Sequence, residues 1–108
     1  MARQYLSQTT NVARVLGLQL AGARRRQHRT AEEIAERAGI TRVTLRRMER
    51  GDPNVALGLY AEVATVLSVP LFGAEGRELA ELVARGERDL ALLPARIDSR
   101  PQEIDDDF

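Results

Sequence analysis

The chain has 108 residues, enough for one small domain with tails and a modest core. Apolar residues make up 44% and aromatics only 4%, so the core must be built from Leu, Val, Ala and Ile, and the absence of Cys excludes disulfides and thiolate metal sites. The net charge is zero but polarised: residues 1–50 hold 11 Arg against 4 acids (+7), and residues 51–108 hold 5 Arg against 12 acids (−7).

All 16 basic residues are Arg, a bias that fits GC-rich codon usage. No apolar run approaches the roughly 18–20 residues of a membrane span, and the first ten residues lack the apolar core of a signal peptide. The expectation is a soluble, cytoplasmic, all-α protein. Residues 1–8 read as a flexible N-terminus, 9–72 as a helical domain, 73–94 as a helical extension and 95–108 as an acidic tail.

The first helix is expected from a cap near Thr9 or Thr10, with the residues before Thr9 either extending it or fraying. Val12, Leu16, Leu20 and Ala23 recur at helical spacing, and the helix ends near Gln27 and His28 after Arg24, Arg25 and Arg26. Thr30 and Glu33 then have the spacing of a capping box, in which each side chain serves the other's backbone N–H. The second helix spans 31–38 and ends at Gly39. Thr41 caps a third, 42–50, closed by Gly51 and kept from continuing by Pro53.

A fourth helix is expected over 56–67, with Leu57, Tyr60, Val63, Ala64 and Leu67 on one face. A fifth helical segment covers 74–93, with a stripe of Leu79, Leu82, Val83, Leu90 and Leu93. Gly86 shares that face and is open to three readings: a kink, a break into two helices, or a close-packing point. Pro94 stops it.

Two short helices joined through Gly39, Ile40 and Thr41 have the layout of a helix-turn-helix. Ala35 is the small residue at the crossing, and Ile34, Ala38, Ile40, Leu45 and Met48 supply the apolar lock. The second helix then offers polar side chains near its N-terminus, where base edges lie in the major groove. An arginine there can grip guanine O6 and N7 bidentately, and Arg42 and Arg47 are the candidates.

The stretches LAGAR (20–24), TAEEIAERAGITRVTLRRMERG (30–51) and ATVLSVP (64–70) resemble the Xre-type helix-turn-helix family, which includes lambda-type repressors. The resemblance covers about half the chain. It implies a compact five-helix lambda repressor-like domain that acts as a dimer on a double-stranded DNA operator. Carried over by position, it implies base contacts by Arg42, Val43 and Arg47, with Val43 or the Thr44 methyl able to touch a thymine methyl. Thr41 falls where phosphate is touched. Arg46 and Arg50 are further phosphate candidates, as are Arg25, Arg26 and Arg29 at the end of the first helix. By the same resemblance Arg24 and Glu49 form a scaffold bridge and do not face DNA. Two positions depart from the family pattern: Ala31 stands where many members carry Gln, and Ser68 where glycine is common.

No catalytic constellation is legible. The single His28 lies among arginines in a polar turn, the serines lack triad partners, and the glycines lack the spacing of a phosphate-binding loop. No enzyme activity, cofactor or metal is expected.

The apolar stripe of residues 74–93 points to a homodimer, with packing within the chain as the alternative for part of it. The tail from Gln102 to Phe108 reads either as a solubilising run or as a peptide that docks Ile104 and Phe108 on a partner, with Asp105, Asp106 and Asp107 on a basic rim. Residues 55–60 (VALGLY) together with this tail resemble the HipB-like antitoxins. That narrower resemblance implies autorepression and restraint of a HipA-like serine/threonine kinase toxin. The alternatives are a stand-alone regulator and an interaction module that has lost DNA binding, a reading that Ala31 favours slightly.

Overall fold

The computed structural model describes residues 3–96, so the tail residues Ile104 to Phe108 lie outside the described part. Five helices are present and, among the described residues, no strand: α1 (Ser7–Arg26), α2 (Ala31–Ala38), α3 (Arg42–Glu49), α4 (Leu57–Leu67) and α5 (Arg77–Ala91). The chain divides into two compact units, Met1–Glu75 and Gly76–Phe108. The all-α, five-helix make-up expected from the sequence is the one observed among the described residues.

In the first unit, α1 to α4 enclose one core. It is made by Leu20 and Ala23 of α1, Ile34 and Ala35 of α2, Leu45 and Met48 of α3, Val55, and Tyr60, Val63, Ala64 and Leu67 of α4. Apart from Met48 and Tyr60 these side chains are small or aliphatic, as the composition requires. Burying each large one contributes roughly 1.5–3 kcal/mol against leaving it in water.

Several local expectations need correction. Helix α1 begins at Ser7, two residues before the capping threonines, with Leu6 at its N-cap and no side-chain cap. Val12 does not face the core: it is 55% exposed, and Ala13 and Gly17 are buried instead. Leu57 likewise points outward, 72% exposed. The reason at α1 is steric. A methyl group built at Gly17 would run into the carbonyl oxygen of Met48, and would stand 2.9 Å from both the Glu49 carbonyl and the Gly51 amide nitrogen. Helix α1 thus crosses the end of α3 at backbone contact, where only a residue without a side chain fits.

Thr30 accepts from the Glu33 N–H at 3.0 Å, but the reciprocal half of the capping box is not made. The Glu33 carboxylate bonds Arg29 instead, at 3.2 Å. Arg29 also donates to the Val66 carbonyl, which ties the α1–α2 turn to α4. Arg29 is thereby engaged by Glu33 and the Val66 carbonyl.

The four helices of this unit end alike. At each, a residue just after the last helical turn adopts positive φ and two amides bond back across that turn, the Schellman arrangement. The positive-φ residues are His28, Gly39, Gly51 and Ser68. The longer of the two bonds in sequence runs from Arg29 to Arg24, Ile40 to Ala35, Asp52 to Arg47 and Val69 to Ala64.

In the second unit α5 runs unbroken through Gly86, which settles the three readings of that residue against a break. It is shorter than the expected 74–93 at both ends. Its stripe of Leu79, Leu82, Val83 and Leu90 is exposed.

Candidate nucleic-acid interface

Helix α3 is held at both ends by local chemistry. At its start the Thr44 N–H donates to the Thr41 hydroxyl at 3.1 Å, and the two hydroxyls bond each other at 3.0 Å. The Thr41 hydroxyl is thus engaged in the cap, and contact with a phosphate would require it to turn. At the other end the Gly51 N–H donates to Met48 and the Asp52 N–H to Arg47. Leu45 and Met48 are the buried residues of the helix. Arg42, Val43, Arg46 and Arg50 are exposed to solvent, Val43 by 68%.

Arg24 and Glu49 form the most buried ion pair among the described residues. Arg24 Nε donates to Glu49 Oε2 at 2.7 Å and Nη2 to Oε1 at 3.1 Å, while Nη1 donates to the Arg29 carbonyl at 3.0 Å. Both side chains are only 14% exposed. The Glu49 hydrogen bond pushes the Arg24 guanidinium further up from its ordinary value, against the opposing effect of burial. One guanidinium fork therefore joins α1, the α1–α2 turn and α3.

Around this pair lies an open groove of about 550 Å³ between α1 and α3, with Ala31 at its edge. Its lining includes Arg14, Arg25, Arg42, Arg46 and Arg50 besides the Arg24–Glu49 pair. Among the described residues none of those five arginines forms an ion pair. Among the described residues the only carboxylate lining the groove is Glu49, already matched by Arg24. Such a concentration of unmatched guanidinium groups creates a strongly positive field suited to phosphate.

Arg14 was not singled out by the sequence. Its Nη1 donates to the Arg50 carbonyl at 3.1 Å, anchoring it at the C-terminal end of α3. A signal was present: residues 14, 18, 21, 22 and 25 lie at helical spacing on one face of α1, and that face lines the groove. Arg26 is not brought to this groove. It lines a separate recess between α1 and the end of α4, with Gln27, Leu67 and Ser68.

Arg47 has a fixed partner. Its Nε donates to Asp52 Oδ2 at 2.9 Å. The Asp52 carboxyl also accepts from the Asn54 N–H at 2.8 Å, and its backbone carbonyl accepts from the Tyr60 hydroxyl at 2.6 Å. The Asn54 N–H and then Arg47 hold the Asp52 carboxyl below the usual carboxylate range. Burial, with the nearby Asp52 charge, raises the Tyr60 phenol.

Among the described residues no group of three His, Cys, Asp or Glu is placed to hold a metal ion. No described helix is long and apolar enough to cross a membrane. Comparison with known proteins gives one match: the family model HTH_3, described as helix-turn-helix, matches residues 20–73, half of the chain. That span contains α2, α3 and α4 whole. No curated protein and no solved structure matches the chain.

Proposed function

Because the chain belongs to the HTH_3 helix-turn-helix family, of the Xre-type, lambda repressor-like kind, and is on that ground a DNA-binding transcriptional regulator, we propose that α3 reads an operator in the major groove. In this reading Arg42 and Arg47 contact bases, with Val43 and Thr44 beside them. Arg14, Arg25, Arg46 and Arg50 hold the phosphate backbone along the α1–α3 groove. The observation that carries it is the set of five groove arginines that have no acidic partner among the described residues, next to an exposed α3 surface.

The test is a salt titration of binding to the DNA upstream of its own gene. The logarithm of affinity must fall steeply with the logarithm of salt, by about 0.9 per phosphate contact. A flat response, or no complex at low salt, overturns the reading.

The regulator acts as a homodimer through the apolar stripe of α5, which would set two copies of α3 about one DNA turn, roughly 34–36 Å, apart. The support is the exposure of Leu79, Leu82, Val83 and Leu90 along one helix. Sedimentation of the full chain and of Leu82→Glu tests it; an unchanged mass for the variant removes α5 from the interface.

Within this frame the chain serves as the antitoxin of a type II toxin–antitoxin pair, repressing its own operon and neutralising a HipA-like Ser/Thr kinase through its acidic tail. The sequence resemblance of residues 55–60 and of the tail supports this. Co-expression with the neighbouring gene decides between it and a stand-alone regulator: an antitoxin co-purifies with that product and relieves its toxicity. Truncation after Arg100 then abolishes both effects.

A further inference from the structure

We propose that Asp52 is a positioning residue for sequence reading: it orients the Arg47 guanidinium so that its two terminal nitrogens face one guanine. This rests on the reading of α3 as the base-contacting helix.

The placement follows from how α3 ends. In a Schellman arrangement the residue two past the cap folds back over the residue three before it, where apolar side chains commonly meet. Here those residues are Asp52 and Arg47, and the contact is an ion pair at 2.9 Å. The carboxylate is itself immobilised. Its second oxygen accepts from the Asn54 N–H at 2.8 Å, and the Asp52 backbone is fixed by its own N–H to the Arg47 carbonyl at 3.0 Å and by Tyr60 from the core. Asp52 is thus a rigid acceptor, and a rigid acceptor can align a long side chain that would otherwise sample many rotamers.

The atoms used fit the role. An arginine has five N–H donors, and the bond to Asp52 takes only Nε. Among the described residues Nη1 and Nη2 have no hydrogen-bond partner, and the Arg47 side chain is 43% exposed. The end-on pair of donors that matches guanine O6 and N7 is therefore available and already oriented. A purely quenching ion pair would leave Arg47 unable to contribute to DNA affinity, and that alternative makes opposite predictions.

The experiment uses the full chain. A preferred duplex is selected from a pool of random duplexes, and dissociation constants are measured for it and for versions with 7-deazaguanine at each guanine in turn. The wild type is expected to lose about tenfold at one guanine per half-site, the order of one bidentate contact. Arg47→Ala loses that sensitivity. Asp52→Ala loses most of it at the same guanine, while its salt slope stays that of the wild type. Asp52→Asn, uncharged and able to accept only one of the two bonds, falls between. In the Arg47→Ala background, Asp52→Ala has no further effect on guanine sensitivity, since the two residues act as one unit.

Full guanine sensitivity in Asp52→Ala and Asp52→Asn overturns the proposal. So does tighter binding of every duplex with a salt slope raised by about one, which identifies Asp52 as a quencher. Melting curves identify a variant that binds poorly only because it unfolds; if Asp52→Ala does so, Asp52→Asn decides. A wild type that selects no preferred duplex overturns the base-reading role of α3 itself, a failure distinguishable from that of Asp52.

Discussion

Gly17 faces the amide nitrogen of Gly51 with no space between them for a methyl group. The approach is mutual, since a Cβ on Gly51 would stand 2.9 Å from the Arg14 nitrogen and 3.0 Å from the Ala13 carbonyl. Gly17→Ala must push α1 away from α3, and overpacking of this kind costs about 1–3 kcal/mol. In a domain of this size that lowers Tm by roughly 4–8 °C per kcal/mol. A melting curve near that of the wild type would show that the crossing relaxes freely.

The Arg24–Glu49 pair predicts a stability loss without a change in sequence preference. Removing one partner leaves the other charge largely buried and unmatched, at a cost of about 3 kcal/mol. Urea denaturation of Glu49→Ala measures the loss. The protein that remains folded should select the same duplex as the wild type.

Arg14 gives a prediction that separates phosphate from base contacts. Arg14→Gln should weaken binding to all duplexes alike and reduce the salt slope by about one. An unchanged slope would remove Arg14 from the interface and leave it only its bond to the Arg50 carbonyl.

His28 and Ser68 hold positive φ without being glycine, at φ 57 and 58. Left-handed backbone costs an ordinary residue roughly 1–2 kcal/mol, part of which glycine returns through its greater freedom in the unfolded chain. Ser68→Gly and His28→Gly should each stabilise by about 0.5–1 kcal/mol in urea denaturation. The effects should add, because the two sites cap different helices.

The lowered Asp52 carboxyl predicts a pH dependence. Its value in the folded chain lies below the ordinary one near 4, so its contribution is complete above that pH and disappears as pH falls through the folded value. The difference in stability between wild type and Asp52→Asn should be constant from neutral pH to about 5 and vanish on further acidification.

What could be read from the sequence follows the range of the interactions. The starts of α2 and α3 were legible at Thr30 and Thr41, and their ends at Gly39 and Gly51, because capping is local chemistry. The core faces of α2 and α3 were legible from Ile34, Leu45 and Met48. The buried face of α1 was not, because its closest contact is made by Gly17. A periodicity built on large apolar residues gives weight to Val12 and none to glycine. Arg29 and Glu33 defeated the capping-box reading because a nearby guanidinium outcompetes a backbone N–H for a carboxylate. Arg47 and Asp52 are five residues apart across a helix end, and they meet only because the chain reverses after Gly51.

Of the eight residues of α3, only Leu45 and Met48 enter the core, and Glu49 is committed to Arg24. In the proposed reading, recognition and folding fall to different side chains of one short helix. Residues 42, 43, 46 and 47 can then be exchanged as a set without repacking the interior, so the proposed operator preference is open to redesign on an unchanged scaffold. The proposed coupling sets one condition on such a transplant: a new residue at 47 has to be compatible with what stands at 52.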